Sequence, residues 1–162
     1  MIDIAIKIVA IGVVATAVMD IVSLTLKRLR LVDSPDYSLV GRWIGHMFMT
    51  RTFAHRNMTR ATKVPAEMKI GWLAHYATGI VFAGALVAVV GMQWLHTPTL
   101  APAMLFGLVT VAFPLFVMQP AFGLGIAARL SSNPPKALLR SLLNHLSLGL
   151  GLYLGGLFST VI

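Results

Sequence analysis

The chain contains no cysteine. That excludes disulfides, thiolate metal sites, iron–sulfur ligation and a cysteine nucleophile, and it leaves the redox compartment unread. Charge is nearly as scarce: 11% of the 162 residues are Asp, Glu, Lys or Arg, against about a quarter in an ordinary soluble domain. With 57% hydrophobic residues and a mean hydropathy of +0.84, too little polar surface exists to cover a globule of this size, which excludes a water-soluble cytosolic enzyme. Acidic residues are rarest, 5 against 13 basic ones, for a formal charge of +8 with histidines neutral. No phosphate-binding glycine loop, His-Glu-x-x-His or serine in a nucleophile elbow occurs, so no catalytic role is expected.

What the chain has instead is long apolar runs. A bilayer core of roughly 30 Å takes about 20 apolar residues as a helix, because backbone polar groups in lipid must satisfy one another. Four stretches qualify, at about 4–26, 70–90, 100–128 and 137–162. The third carries Pro102, Pro114 and Pro120, so it is expected to kink and to have an ill-defined inner end near Gln119-Pro120. The expected architecture is all-α: one integral membrane domain over 1–162, a bundle of four transmembrane helices with one cytoplasmic interfacial helix.

The basic residues orient this bundle. Nine of the thirteen, Lys27, Arg28, Arg30, Arg42, Arg51, Arg56, Arg60, Lys63 and Lys69, fall between the first two spans, and none falls in 91–99. Arg129, Lys136 and Arg140 mark the last connection as basic too, so both basic connections are expected in the cytoplasm, with the chain N-out and C-out in a bacterial inner membrane. Ala15-Thr16-Ala17 resembles a signal-peptide cleavage site, but the apolar run continues to Leu26 and cleavage would export the nine charges; a retained span is expected. The basic excess suits anionic lipid head groups rather than nucleic acid.

Within the long connection, Tyr37, Val40, Trp43, Ile44, Met47 and Phe48 recur at helical spacing over about 35–50, with Asp33 or Ser34 before Pro35 as a start signal. Ser38, Gly41, Arg42, Gly45 and His46 share the other face. Two outcomes stay open: the aromatic face enters lipid and Arg42 and His46 face water, or the glycine side docks on the bundle and brings Arg42 and His46 to it. Trp72, Tyr76 and Trp94 fit aromatic belts at the two interfaces.

Polar side chains inside the spans are few, and they fall at one depth. At about 1.5 Å per residue, Asp20 lies roughly 9 Å from the inner end of its span, His75 roughly 8 Å, and Asn144 and His145 roughly 10–12 Å. Gln119 belongs to the inner half of the third span. Charge in hydrocarbon is costly, so these groups should face one another, with Arg42, His75 or His145 as partner for Asp20. His55 and His96 read as solvated loop residues.

Order along the chain repeats as well. Val18-Met19-Asp20 is echoed by Val117-Met118-Gln119, and Leu73-Ala74-His75 by Leu143-Asn144-His145, which suggests two duplicated helical hairpins. His75 and His145 would then be equivalent, each with a glycine four residues on. Opposed histidines could ligate haem or, with Asp20 or His46, a divalent metal; they could equally donate to neighbouring helices and hold the bundle together. Gly79, Gly84, Gly149, Gly151, Gly155 and Gly156 point to close helix packing or to contact between copies of the chain or with a membrane partner.

The motifs resemble a family of uncharacterised bacterial inner-membrane proteins, the domain of unknown function 2938. The resemblance is carried by Ala15-Thr16-Ala17-Val18-Met19-Asp20, Leu39-Val40-Gly41-Arg42-Trp43-Ile44-Gly45-His46 and Gly71-Trp72-Leu73-Ala74-His75-Tyr76. It continues in Pro98-Thr99-Leu100, Met118-Gln119-Pro120 and Asn133-Pro134-Pro135-Lys136, followed by His145. It covers nearly the whole chain and implies a multi-span inner-membrane protein; it carries no activity and no catalytic residue. Three functions are weighed: passage of protons, ions or a small solute, or pH sensing, through the Asp20, His75, Gln119, Asn144 and His145 layer; a haem or metal module on His75 and His145; and a structural or assembly subunit.

Overall fold

The computed structural model describes residues 2–162. The described residues form no strand. Five principal helices follow in order: α1 (Ile2–Arg28), α2 (Tyr37–Met49), α3 (Glu67–Val90), α4 (Leu100–Ala121) and α5 (Pro134–Ser159). All but α2 are long and apolar enough to cross a membrane, and the protein is a membrane protein built as an all-helical bundle. Their outward faces carry Ile6, Val9, Ile21, Leu73, Val81, Leu105 and Val109, exposed in the isolated chain as suits lipid contact.

The helices stand in the order α4, α5, α1, α3, with α2 laid on α3; α3 and α4 scarcely touch. Small residues set this order. The inward stripe of α5 is Ser141, Asn144, Ser147, Gly149, Gly151, Gly155, Gly156 and Ser159, all buried, so neighbouring backbones approach closely in a setting where lipid supplies little hydrophobic drive between helices. Gly151 and Gly155 lie against Ala15 and Ile11 of α1, and Gly149 against Ala103 and Met104 of α4. On the other side of α1, Gly12 meets Gly79 and Ile80 of α3. The glycines read from the sequence thus pack helices within the chain; Gly84 alone has an open side, with Ile8 at 3.6 Å from where a Cβ would be.

Two boundaries and one side chain refine the expectation. The third span ends at Ala121, at the early end near Gln119-Pro120 that its prolines suggested and short of the apolar run to residue 128. Pro114 has no N–H to continue the ladder, the helix loosens into a π turn over Pro114–Met118, and the chain leaves it at Phe122 through Gly123 (φ 82°) and Gly125 (φ 71°). Helix α2 begins at Tyr37 and is capped by Asp36, whose carboxylate accepts from the Ser38 N–H at 3.0 Å, rather than by Asp33 or Ser34. Trp94 is no belt residue: it is 3% exposed, packs on Gly156, and donates from Nε1 to the Thr99 carbonyl at 3.2 Å. Trp72 is exposed, as a belt residue should be.

Helix α2 docks by its glycine side. The Gly41 and Gly71 backbones sit so close that a Cβ on Gly41 would collide with the Glu67 carbonyl, and one on Gly71 with the Tyr37 carbonyl. Trp43, on the other flank, enters a small core with Met58, Ala121 and Phe122, and its Nε1 donates to the Phe53 carbonyl at 2.7 Å. Only the Phe48 and Met49 end of the apolar face remains exposed.

Candidate functional site

Asp20 lies on α1 where three donors from two other helices converge. The Tyr37 hydroxyl donates to Oδ1 at 2.9 Å, His75 Nε2 to the same oxygen at 3.0 Å, and the Tyr76 hydroxyl to Oδ2 at 3.3 Å. The Asp20 and His75 side chains are 13% and 10% exposed. A carboxylate at this depth is tolerable because its oxygens are filled and an imidazole faces it. The Tyr37 ring stacks on His75 with centroids 4.1 Å apart and planes at 26°. Burial and the Asp20 carboxylate raise the Tyr37 phenol well above its usual value, so it stays a donor.

The second histidine is held in the other hairpin. Thr110 Oγ1 donates its one proton to the Gly107 carbonyl at 2.6 Å, so the contact at 2.9 Å is His145 Nδ1–H donating to Thr110 Oγ1. In the neutral ring that leaves Nε2 with a lone pair. Gln119 is oriented by the same logic: Ser141 Oγ donates to the Ala137 carbonyl at 3.1 Å and therefore accepts from Gln119 Nε2 at 3.0 Å. Gln119 Oε1 and Asn144 Oδ1 are buried and have no donor among the described residues.

One cavity of about 280 Å³ joins these groups, in the gap left where α3 and α4 scarcely touch. His75, Gln119, Asn144 and His145 all line it, Asp20 standing behind His75 and Tyr37. Its remaining wall is mostly apolar, with Phe82, Phe113, Phe122 and Leu148. Asp36 and Arg140 also line it. Nearby, Lys136 Nζ pairs with Asp33 Oδ2 at 3.0 Å, tying the α1–α2 loop to α5.

Arg42 and His46 do not join the layer. Arg42 grips Glu67 through Nε at 2.9 Å and Nη2 at 2.8 Å, and its Nη1 donates to the carbonyls of Met58, Thr59 and Ala61. His46 Nε2–H donates to the Thr62 carbonyl at 2.8 Å, so its Nδ1 accepts from His55 Nε2–H at 2.9 Å. His55 is therefore no freely solvated loop residue but half of a histidine pair; His96 is exposed. Both devices shape the 50–66 connection, not the cavity. Among the described residues no three of His, Cys, Asp and Glu gather as a metal cluster. Ligation of an ion or haem by the two cavity histidines would fall to His75 Nδ1 and His145 Nε2, since their other ring nitrogens bond Asp20 and Thr110.

Sequence inspection missed Tyr37 as a polar group, reading it only as part of an apolar face, and missed Thr110, Ser141 and Glu67. The signal for Glu67 was there: it is the one glutamate of the chain, at the end of a connection crowded with arginines.

The model of a family described as "Protein of unknown function (DUF2938)" matches residues 9–159. No curated protein and no solved structure matches the chain.

Proposed function

Because the chain belongs to the DUF2938 family, whose description names no activity, we propose a function from its geometry: a non-enzymatic protein of the bacterial inner membrane that admits a proton or a small solute to the cavity between its spans. The observation that carries this is the shared cavity. Polar side chains from α3, α4 and α5 line one space of about 280 Å³ although His75, Gln119 and His145 are each bonded to a different neighbour, and two of their oxygens have no donor among the described residues. A network serving only to glue helices would be expected to satisfy its own members. Ionisable groups at membrane depth that face an internal space rather than lipid are the usual parts of an ion or solute path.

In this scheme Asp20 and His75 form the proton-binding pair. His75 is the member at the cavity wall, and Asp20 stands behind it, its Oδ1 at 3.0 Å from His75 Nε2. The two basic connections, residues 27–69 and 122–136, face the cytoplasm, and the cavity lies in the inner half of the bundle.

Proteoliposomes with an entrapped pH dye and an imposed membrane potential test this directly. Wild type is expected to take up protons faster than empty vesicles, and Asp20→Asn combined with His75→Ala to abolish the difference. Equal flux in wild type and double variant would defeat the proposal; equal flux with weakened subunit association would favour an assembly role instead.

A further inference from the structure

The cavity carries an asymmetry of charge that selects its occupant, an inference that rests on reading it as a binding space. Each carboxylate around it is already engaged. Asp36, on the wall, caps α2 through the Ser38 N–H at 3.0 Å and the Ser38 hydroxyl at 2.6 Å, where the helix N-terminus offsets its charge. Asp33 pairs with Lys136, and Asp20 is filled by Tyr37, His75 and Tyr76. The guanidinium on the wall is not engaged: among the described residues, the half-buried Arg140 side chain has no hydrogen bond and no carboxylate within ion-pair distance. An arginine in the second turn of a membrane helix that faces an internal space without a partner keeps its planar fork of donors free for a carboxylate or a phosphate.

The rest of the space suits a chain. Leu148 lines it about two turns beyond Arg140 on α5, roughly 12 Å along the helix, and there it packs with Phe82 and Met19 against the apolar core. The side between α3 and α4 is open, since Thr78 and Phe113 both line the cavity and both are exposed. On a membrane-spanning bundle that side faces lipid, so an apolar chain can enter from the bilayer while its head stays at the Arg140 end. We propose that the cavity binds an anionic amphiphile of the bilayer, its carboxylate or phosphate head on Arg140 and its apolar chain lying between α3 and α4 toward Leu148.

Decanoate and decylamine test this, because they share a chain and differ in the sign of the head. Equilibrium dialysis of the protein in phosphatidylcholine nanodiscs, with empty nanodiscs as the blank, is expected to show decanoate bound at least about tenfold more tightly than decylamine. Arg140→Gln should lose about tenfold of the decanoate affinity, the worth of a hydrogen bond to a charged group. That substitution strands no partner, so the fold is kept, and Arg140→Lys should restore part of the loss. Arg60→Gln removes an exposed cation outside the cavity and should change nothing. Displacement of decanoate by lysophosphatidylglycerol but not by lysophosphatidylcholine identifies a phospholipid as the source; displacement by neither identifies a free fatty acid. Equal binding of the two probes, no binding of either, equal displacement by the two lysolipids, or an Arg140→Gln loss no larger than that of Arg60→Gln would overturn the inference. Decanoate preference without Asp20-dependent proton flux would leave the inference standing and remove the passage function. Flux without that preference would do the reverse.

Discussion

Removing the Arg42 side chain should destabilise the contact between α2 and α3 more than any other single truncation there. The guanidinium is 5% exposed and its partner Glu67 16% exposed, with a two-pronged contact at 2.8 and 2.9 Å. Its third nitrogen caps three carbonyls of the 58–61 turn at 3.1–3.3 Å. In Arg42→Ala the Glu67 carboxylate keeps only the Val64 N–H, at 3.2 Å, and the carbonyls lose their donor. Breaking one side of a buried ion pair costs about 3–5 kcal/mol, chiefly because the other charge is stranded. Arg42→Lys keeps the charge but lacks the planar fork and cannot reach both ends, so about 1–3 kcal/mol is expected. Arg42→Met with Glu67→Met strands no charge and should recover most of the loss. Reversible unfolding in detergent micelles gives the free energies, and amide exchange across residues 50–66 shows where the loosening occurs. A value for Arg42→Ala within about 0.5 kcal/mol of wild type, the range of ordinary surface changes, would refute the docking of α2: that is the result if Arg42 stood in water and the aromatic face in lipid.

Other predictions follow from the packing and the titrating groups. A Cβ on Gly107 would lie 2.6 Å from the Gly149 Cα and from the His145 carbonyl; since backbone cannot yield as a side chain can, Gly107→Ala should lose about 1–3 kcal/mol in the same unfolding assay, whereas Gly84→Ala, with open space beside it, should lose nothing. Burial and the neighbouring His46 hold His55 below the usual imidazole range. The folded loop therefore binds fewer protons than the unfolded chain: its contribution is complete above about pH 6.5 and fades as the pH falls through the depressed value. Exchange of the 50–66 amides, corrected for intrinsic rates, should accordingly rise between pH 8 and pH 5.5, and His55→Gln should flatten that rise. Tyr37→Phe preserves the stack on His75 and removes one donor from Asp20, for about 1.5–3 kcal/mol. Because the Tyr37 phenol is raised, an ultraviolet titration of wild type should not show its ionisation near pH 10; an unchanged tyrosinate signal in Tyr37→Phe at that pH checks it.

The four long apolar helices and the helical class were legible in the chain because each depends on a local property. Twenty apolar residues in lipid have little choice but helix, and a rise of about 1.5 Å per residue then sets the level of Asp20, His75, Asn144 and His145. Partner choice was not legible. Arg42 meets Glu67 rather than Asp20, His46 meets His55, and Trp94 turns inward onto Gly156; these outcomes depend on which face of α2 docks and on the path of a 17-residue connection, 50–66, that carries no periodic signal. The early exit of α4 at Ala121 was half legible: Pro114 and Pro120 pointed to it, but the π turn over Pro114–Met118 leaves no mark in hydropathy, which continues to residue 128. The amino-acid order alone thus determined solvent and class, since those follow from composition and from the hydrogen-bonding demands of a backbone in lipid. Tertiary structure decided azimuth: which side of each helix is glycine-lined and closed, which gap stays open between α3 and α4, and hence which polar side chains line it.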